Sequence, residues 1–320
     1  MADNSSWRAA CTGLPWRMIA ARFFLLTAMG YGVDSMMTRQ QTLVGVFAHP
    51  DDESFGPGGS MARYAAEGKQ VHIIIATDGI AGSVEDPKHL ITHDTLAQVR
   101  SRELSNAAVA LGVTSIWSLP YRDSGMRNTP ENLHPAALFQ QPIDALVQQL
   151  AEYIRRLQPG VIVTHDPFGG YGHPDHIRLC ETVTAAFHLV RSEAQRNGNG
   201  YPGPQKLYYT AFDKRVLKLI VKFMPLMGKD PTAIGRNKDI NLVEISGWET
   251  PVHAEINIEP YLPQKEAASR AHASQYSGGP TFVRVLPSFI RRQFLINESF
   301  TRAYPAPNGA VEKDLFAGVV

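Results

Sequence analysis

Short apolar runs alternate with helix-forming stretches from Thr42 to Val190. Four apolar runs predict buried β-strands at 42–48, 70–77, 115–119 and 161–164. Composition and periodicity predict four helices, at 60–67, 96–111, 142–157 and 173–190. Gly68 and Gly112 stand where the first two of these helices should end. Strands alternating with helices predict an α/β fold, a Rossmann-like, mostly parallel sheet with helices on both faces.

The pattern is less regular after residue 190. Residues 192–205 are rich in Gly, Pro and Asn and predict a loop, whereas 216–224 predicts a short helix. We expect the region 206–260 to be an insertion or cap. The predicted organisation is a catalytic α/β core at 37–190, with 191–320 as a C-terminal part that carries this insertion and completes the same domain.

The first 36 residues differ from the rest of the chain. They contain three arginines, no acidic residue from Asn4 to Val33, and an apolar run that is too short to span a bilayer. Met36 and Met37 stand directly before the first predicted strand. The segment 1–36 is therefore interpreted as a targeting-like segment, an over-extended start or an artificial addition, without a catalytic role.

Charge and cysteine content narrow the class of protein. The 31 basic and 30 acidic residues nearly cancel, which argues against the broad electropositive surface used to bind nucleic acid or anionic membranes. Neither nucleic-acid binding nor stable membrane insertion is expected, and the oligomeric state stays open. Cys11 and Cys180 cannot form a disulfide framework or a thiolate metal site, which favours a reducing, cytoplasmic location.

Two polar clusters follow predicted strands. Ala48-His-Pro-Asp-Asp-Glu53 comes after the first strand, and Thr164-His-Asp-Pro-Phe-Gly-Gly-Tyr-Gly-His-Pro-Asp-His176 comes after the fourth. Ligands of parallel sheets bind beyond the carboxyl ends of the strands. Three adjacent acids also repel one another unless a cation is close. A catalytic zinc ion typically takes three protein ligands, and His49, Asp52 and His176 can supply them. Asp51 is then the spare carboxylate, placed to act as general base.

These two clusters resemble those of the LmbE-like or PIG-L family of zinc-dependent N-deacetylases. Two weaker similarities, at Arg100-Ser-Arg-Glu-Leu104 and Arg122-Asp-Ser-Gly-Met126, point to the branch that includes the mycothiol-pathway deacetylase and amidase. The likeness spans roughly residues 42–190. The segment His272-Ala-Ser-Gln275 also resembles the family's C-terminal part, although a packing role for it is equally open.

The resemblance implies a role for each matching residue. His49, Asp52 and His176 would bind Zn²⁺, with Fe²⁺ as the alternative ion, and Asp51 would activate water. A protonated His173 would stabilise the oxyanion and protonate the leaving amine, while Asp175 would orient a neighbouring histidine. Glu53 would have a supporting hydrogen-bonding role. Substrate contacts are expected from Tyr171, Arg100 and Asp123.

The implied reaction is hydrolysis of the acetamide of a small N-acetylglucosamine-like conjugate to acetate and a free amine. An amidase that cleaves a larger acyl or thiol conjugate would use the same site. A metal-binding module without turnover is a third reading, but such a protein needs neither Asp51 nor His173. A nucleotide-dependent Rossmann enzyme would need the Gly-x-Gly-x-x-Gly fingerprint directly after the first strand, where this chain has Gly56-Pro-Gly-Gly59 without that spacing.

Simpler interpretations apply to several of these residues. Asp51-Asp52-Glu53 could be an acidic turn that caps the next helix, and Arg122-Asp-Ser-Gly125 could be an ordinary turn. Gly56-Pro-Gly-Gly59 is interpreted as a turn near the metal site and not as a phosphate-binding loop. Structural hydrogen-bonding roles are expected for His72, His165 and His253.

Overall fold

The structure is a computed structural model that describes residues 41–84, 95–198, 200–211, 214–234, 240–276 and 295–320. The N-terminal segment 1–36 therefore lies outside the described residues. None of the helices in the described ranges is long and apolar enough to cross a bilayer.

One sheet contains all seven strands of the described chain. The strands are β1 Thr42–Phe47, β2 Gln70–Thr77, β3 Ser115–Tyr121, β4 Val161–Thr164, β5 Lys206–Ala211, β6 Ala254–Asn257 and β7 Asn297–Tyr304. Their order across the sheet is β3-β2-β1-β4-β5-β7-β6. The strands from β1 to β5 are parallel, and β7 pairs antiparallel with both β5 and β6. The predicted mostly parallel α/β sheet is thereby confirmed.

Helices cover both faces of this sheet. They are α1 Asp52–Phe55, α2 Gly58–Ala66, α3 Leu96–Leu111, α4 Ile143–Leu157, α5 Pro174–Asn197, α6 Arg215–Phe223, α7 Leu242–Gly247 and α8 Leu262–Ala271. Successive side chains of a strand point to opposite faces. Val44 of β1 accordingly joins the core beneath α4 and α5, whereas Leu43 joins the core on the side of α2 and α3. Both residues are almost fully buried, so β1 is sandwiched between two apolar layers.

The four strands and four helices predicted between Thr42 and Val190 are present, and so is the helix predicted at 216–224. The loop predicted at 192–205 is wrong in its first part, because α5 continues to Asn197. The chain has no glycine or proline between 191 and 197, and the helix ends at Gly198, which adopts a φ of 56°.

The prediction of an insertion over 206–260 is wrong at both of its ends. Lys206–Ala211 forms β5, which continues the parallel sheet beside β4, and Ala254–Asn257 forms β6 at the edge. Of the residues described between these two strands, 214–234 and 240–253 lie outside the sheet and include α6 and α7. Because β5, β6 and β7 share one sheet with β1 to β4, we propose that 37–190 and 191–320 are parts of a single folding unit.

Candidate functional site

The candidate site lies at the carboxyl ends of the two central strands. The chain passes outward from β1 through β2 to β3, and then returns to place β4 on the other side of β1. This reversal of strand order leaves a crevice beyond the ends of β1 and β4, where open parallel sheets bind their ligands. His49 follows β1, and the first turn of α5 brings Asp175 and His176 to the same place.

The three residues predicted to bind metal form a nearly equilateral triangle of ligand atoms. His49 Nδ1 lies 3.1 Å from His176 Nε2 and 3.4 Å from Asp52 Oδ2, and the third side, from His176 Nε2 to Asp52 Oδ2, is 3.3 Å. Tetrahedral coordination with bonds of about 2.0 to 2.2 Å separates neighbouring ligand atoms by about 3.3 to 3.6 Å. The triangle therefore fits one face of such a tetrahedron.

Two further histidines lie near this triangle, and both belong to overlapping groups of side chains that could hold a metal ion. Their hydrogen bonds argue against a ligand role. His165 Nε2 accepts the backbone N–H of Ala48 at 3.0 Å, so its lone pair is occupied. His173 Nδ1 accepts the backbone N–H of Asp175 at 3.2 Å as the N-cap of α5, which leaves the ring proton on Nε2. The structural role predicted for His165 agrees with this arrangement.

The second nitrogen of His49 faces two buried carboxylates. His49 Nε2 is 3.3 Å from Asp123 Oδ1 and 3.3 Å from Asp175 Oδ2. Backbone N–H groups hold these acids in place, since Gly125 donates to Asp123 and Ser124 donates to Asp175. Carboxylates that accept the second N–H of a ligand histidine fix its tautomer and orientation. This geometry agrees with the orienting role predicted for Asp175.

Asp123 was predicted to contact substrate, but the structure places its carboxylate against His49. It is buried, and its Oδ1 is also 3.9 Å from His173 Nε2. Although burial disfavours its charge, His49 and its hydrogen bonds lower the pKa of Asp123 well below the usual range. The geometry supports an orienting carboxylate, and contact of Asp123 with a sugar hydroxyl stays a prediction.

Asp51 immediately precedes the ligand Asp52 and has an unusual backbone. Its φ is 134°, a value that residues other than glycine rarely adopt. Strain of this kind persists only where the surroundings hold it, and it is concentrated at active sites. Burial raises the pKa of Asp51 to about 6; the positive charge of Arg100 opposes the rise and the charge of Asp52 adds to it. A carboxylate with such a pKa suits a general base at neutral pH.

Arg100 of α3 binds both the loop that carries Asp51 and the loop after β2. Its guanidinium donates to Asp51 Oδ2 at 2.9 Å and to the carbonyls of Pro50 and Gly79 at 2.6 Å each. The side chain is only 3 % exposed, so it supports the loop that carries Asp51. Its predicted contact with substrate stays a prediction.

His173 and Tyr171 lie beside the triangle. The ring of His173 is 4.5 Å from that of His49, and the ring of the partly exposed Tyr171 is 5.3 Å from that of His176. Burial and the charges of His49 and His176 lower the pKa of His173, and its Nδ1 already accepts a hydrogen bond. This arrangement favours the neutral ring over the protonated form expected from the sequence.

Sequence reasoning underestimated His272. Its Nε2 lies 2.6 Å from Glu53 Oε1, and both side chains are fully buried. The other oxygen of Glu53 accepts the backbone N–H of Asp51 at 2.9 Å, which agrees with the supporting role predicted for Glu53. Glu53 and His272 are too far apart in the chain for their spacing to predict a contact. Only the resemblance of the segment His272-Ala-Ser-Gln275 to the family's C-terminal part pointed to His272.

One family model and several curated proteins match this chain. The family model described as "GlcNAc-PI de-N-acetylase", PIG-L, matches residues 44–187. A 1D-myo-inositol 2-acetamido-2-deoxy-alpha-D-glucopyranoside deacetylase from Catenulispora acidiphila is 34% identical over 88% of this chain and 90% of its own length. The deacetylase of the same name from Thermobispora bispora is 36% identical over 86% and 97%.

Solved structures share the fold. N,N'-diacetylchitobiose deacetylase from Pyrococcus horikoshii superposes with a TM-score of 0.52 at 19% identity, covering 82% of this chain and 83% of that one. The 4-carboxy-2-hydroxymuconate hydratase from Pseudomonas putida has the same TM-score at 17% identity, covering 82% and 96%. Since a hydratase has the same fold as a deacetylase, the fold alone does not determine the reaction.

Proposed function

The chain belongs to the PIG-L, or LmbE-like, family, and on that premise we propose that it hydrolyses the acetamide of a small N-acetylglucosamine-like conjugate. The relatives named above are deacetylases of an acetamido-sugar joined to inositol, and they match 88% and 86% of this chain. The observation that carries the proposal is the triangle of His49, Asp52 and His176, with the strained Asp51 directly beside Asp52 in the chain.

We propose zinc as the metal, held by this triangle of two imidazoles and one carboxylate. Fe²⁺ is the alternative, because the same ligand types suit both ions. A divalent ion bound there would act as a Lewis acid on the amide carbonyl and lower the pKa of the attacking water.

The residues of the chain then supply the proton transfers. Asp51 takes a proton from the attacking water while the oxygen of that water bonds to the carbonyl carbon. His173, with its proton on Nε2, donates a hydrogen bond to the oxyanion, and the hydroxyl of Tyr171 adds a second donor. A neutral imidazole is too weak an acid to release its remaining proton, so Asp51 passes the proton it took from water to the leaving nitrogen as the C–N bond breaks. The products are acetate and a free amine.

A cytoplasmic location and a small-molecule substrate complete the proposal. The location rests on the cysteine content of the sequence. The substrate class rests on the sugar-linked acetamides in the names of the relatives.

The test is metal content and acetate release from an N-acetylglucosaminyl-inositol conjugate, for the wild type, Asp51→Asn and the exposed-site control Asp144→Asn. We expect one metal per chain in all three proteins. Asp51→Asn should lose on the order of 100- to 10,000-fold in kcat, because a general base typically contributes that much. The control should match the wild type, and chelation should abolish turnover.

Three results would contradict the proposal. Wild-type protein that contains metal but releases no acetate would support the metal site and show that the proposed substrate is wrong. Faster cleavage of bulky acyl conjugates than of the acetyl conjugate would identify the protein as the amidase. Full activity of Asp51→Asn would remove Asp51 from the mechanism.

A further inference from the structure

The backbone of Asp51 is linked to the C-terminal part of the chain through one buried carboxylate. Glu53 accepts the N–H of Asp51 with Oε2 at 2.9 Å, and its Oε1 accepts from His272 Nε2 at 2.6 Å. The hydroxyl of Ser54 also donates to Oε1 at 2.6 Å. Since Glu53 and His272 are both inaccessible to solvent, water cannot replace either partner.

The hydrogen bond with Glu53 acts on the backbone N–H of Asp51, the residue with the strained φ. A φ of 134° places the Asp51 N–H in a direction that the ordinary conformations of an aspartate would not. The surroundings hold Asp51 at three positions, the N–H by Glu53, the carbonyl by the N–H groups of Ser54 and Phe55, and the carboxylate by Arg100. Arg100 sets where the carboxylate lies, and Glu53 sets the peptide plane from which the side chain projects.

We propose that His272 is a positioning residue for the general base. Through Glu53 it holds the peptide of Asp51 in the strained conformation that directs the Asp51 carboxylate at the attacking water. The proposal rests on the function proposed above for Asp51. It gives a site role to a segment in the C-terminal part of the chain, far from the two polar clusters in sequence.

The hydrogen bonds of His272 separate this role from simple packing. Its Nδ1 has no partner among the described residues, so the bond from Nε2 to Glu53 is the one that orients the ring. The segment itself is attached elsewhere, because Glu103 of α3 accepts both the backbone N–H and the hydroxyl of Ser274 at 2.7 Å. Loss of the His272 side chain therefore leaves the segment anchored, but removes both the link to Glu53 and the edge contact with the ring of Phe55. His272→Gln, which keeps a donor for Glu53 but not the ring, separates these two contacts.

The experiment compares His272→Ala, His272→Gln and the matched control Ser274→Ala in the full chain. Glutamine can place an amide donor close to the position of the histidine Nε2, and Ser274→Ala loses a buried hydrogen bond of the same segment. The first measurement is amide hydrogen exchange of the peptide covering residues 51–55, where Ser54 and Phe55 also donate to the carbonyl of Asp51. The second is kcat, KM and metal content.

For His272→Ala we expect exchange in 51–55 to be at least about tenfold faster. We expect kcat to fall by about 10- to 100-fold, as for other residues that orient a metal site from outside. KM and metal content should stay unchanged. His272→Gln should restore most of both losses, and Ser274→Ala should resemble the wild type in both measurements.

Unchanged exchange at 51–55 in His272→Ala would overturn the proposal, and so would equal losses in Ser274→Ala. A wild type without deacetylase activity would instead refute the proposed function. In that case the exchange comparison alone still decides whether His272 holds the peptide of Asp51.

Discussion

At the scale of single residues, His49 divides its two ring nitrogens between the metal position and supporting carboxylates. His49 turns Nδ1 toward Asp52 and His176, while Nε2 faces the carboxylates of Asp123 and Asp175. Residue type and position in the sequence identified His49, Asp52 and His176, whereas the family resemblance suggested Asp123 and Asp175. The sequence could not assign Asp123 to His49, because the two are joined only by the packing of separate strand ends.

The ion pair between Asp51 and Arg100 predicts a pH dependence. The base must be unprotonated, and burial raises the pKa of Asp51 to about 6, so kcat/KM should fall as the pH drops through that value. The charge of Arg100 lowers this pKa. In Arg100→Gln the acid limb should therefore move to higher pH, by on the order of 1 to 3 units. A pH–rate profile of both proteins measures the shift.

Arg102→Gln, on the exposed side of the same helix, is the control and should leave the acid limb where it is in the wild type. An acid limb near pH 4 in the wild type would show that burial does not raise the pKa of the base, because that is the ordinary value for an aspartate. A limb that stays in place in Arg100→Gln would show that the ion pair does not set the pKa.

At the scale of secondary-structure elements, α3 supports the site with one buried face. Arg100 and Glu103 are one helical turn apart, and they hold respectively the loop of Asp51 and the segment of His272. The loop after β2 crosses directly over the guanidinium of Arg100. A Cβ at Gly79, which has a φ of 64°, would lie 2.5 Å from Arg100 Nη1.

Gly79→Ala should therefore lower both stability and kcat, because the added methyl group displaces Arg100 from Asp51. Gly68→Ala is a matched control, since Gly68 also has a positive φ, of 83°, but a Cβ added there would have no atom within 4 Å. In the control, the free energy of unfolding should fall by only about 1 kcal/mol, the cost of a positive φ for alanine, and kcat should stay unchanged. Urea unfolding and steady-state kinetics distinguish the two, and equal kcat values would refute the displacement of Arg100.

At the scale of the whole molecule, the C-terminal part completes the core that the N-terminal part begins. Glu298 of β7 accepts the N–H groups of Gly59 and Ser60 at the start of α2, at 2.8 and 2.7 Å. The same carboxylate accepts Lys265 Nζ of α8 at 2.5 Å. Elements from the two ends of the described chain thus share one buried charge, as a single folding unit requires.

Glu298→Ala should reduce the free energy of unfolding by about 3 kcal/mol, because it leaves buried N–H donors and Lys265 without their acceptor. Glu266→Ala removes only an exposed ion pair with Arg270 and should cost less than about 1 kcal/mol. Urea unfolding followed by two probes should show one coincident transition for the wild type. Two separate transitions would contradict a single folding unit across 37–190 and 191–320.

The sequence by itself determined the parallel α/β core and the three candidate metal ligands. Periodicity is a local property, and the two histidine-rich clusters follow directly from strands whose ends must meet at one edge of a parallel sheet. For this reason the positions of His49, Asp52 and His176 in the sequence predicted that these residues lie together as metal ligands. In the structure their ligand atoms are 3.1 to 3.4 Å apart.

The family resemblance implied supporting roles for Asp175 and Glu53, but only the tertiary structure decided which groups the other supporting residues contact. The links from Asp123 to His49, from Arg100 to Asp51 and from His272 to Glu53 join residues that are far apart in the chain and carry no common spacing. The inclusion of β5 in the sheet also depends on pairing with β4, which local composition does not encode. Buried polar groups must form hydrogen bonds, and folding determines which groups are close enough to form them. The sequence alone therefore does not show these contacts.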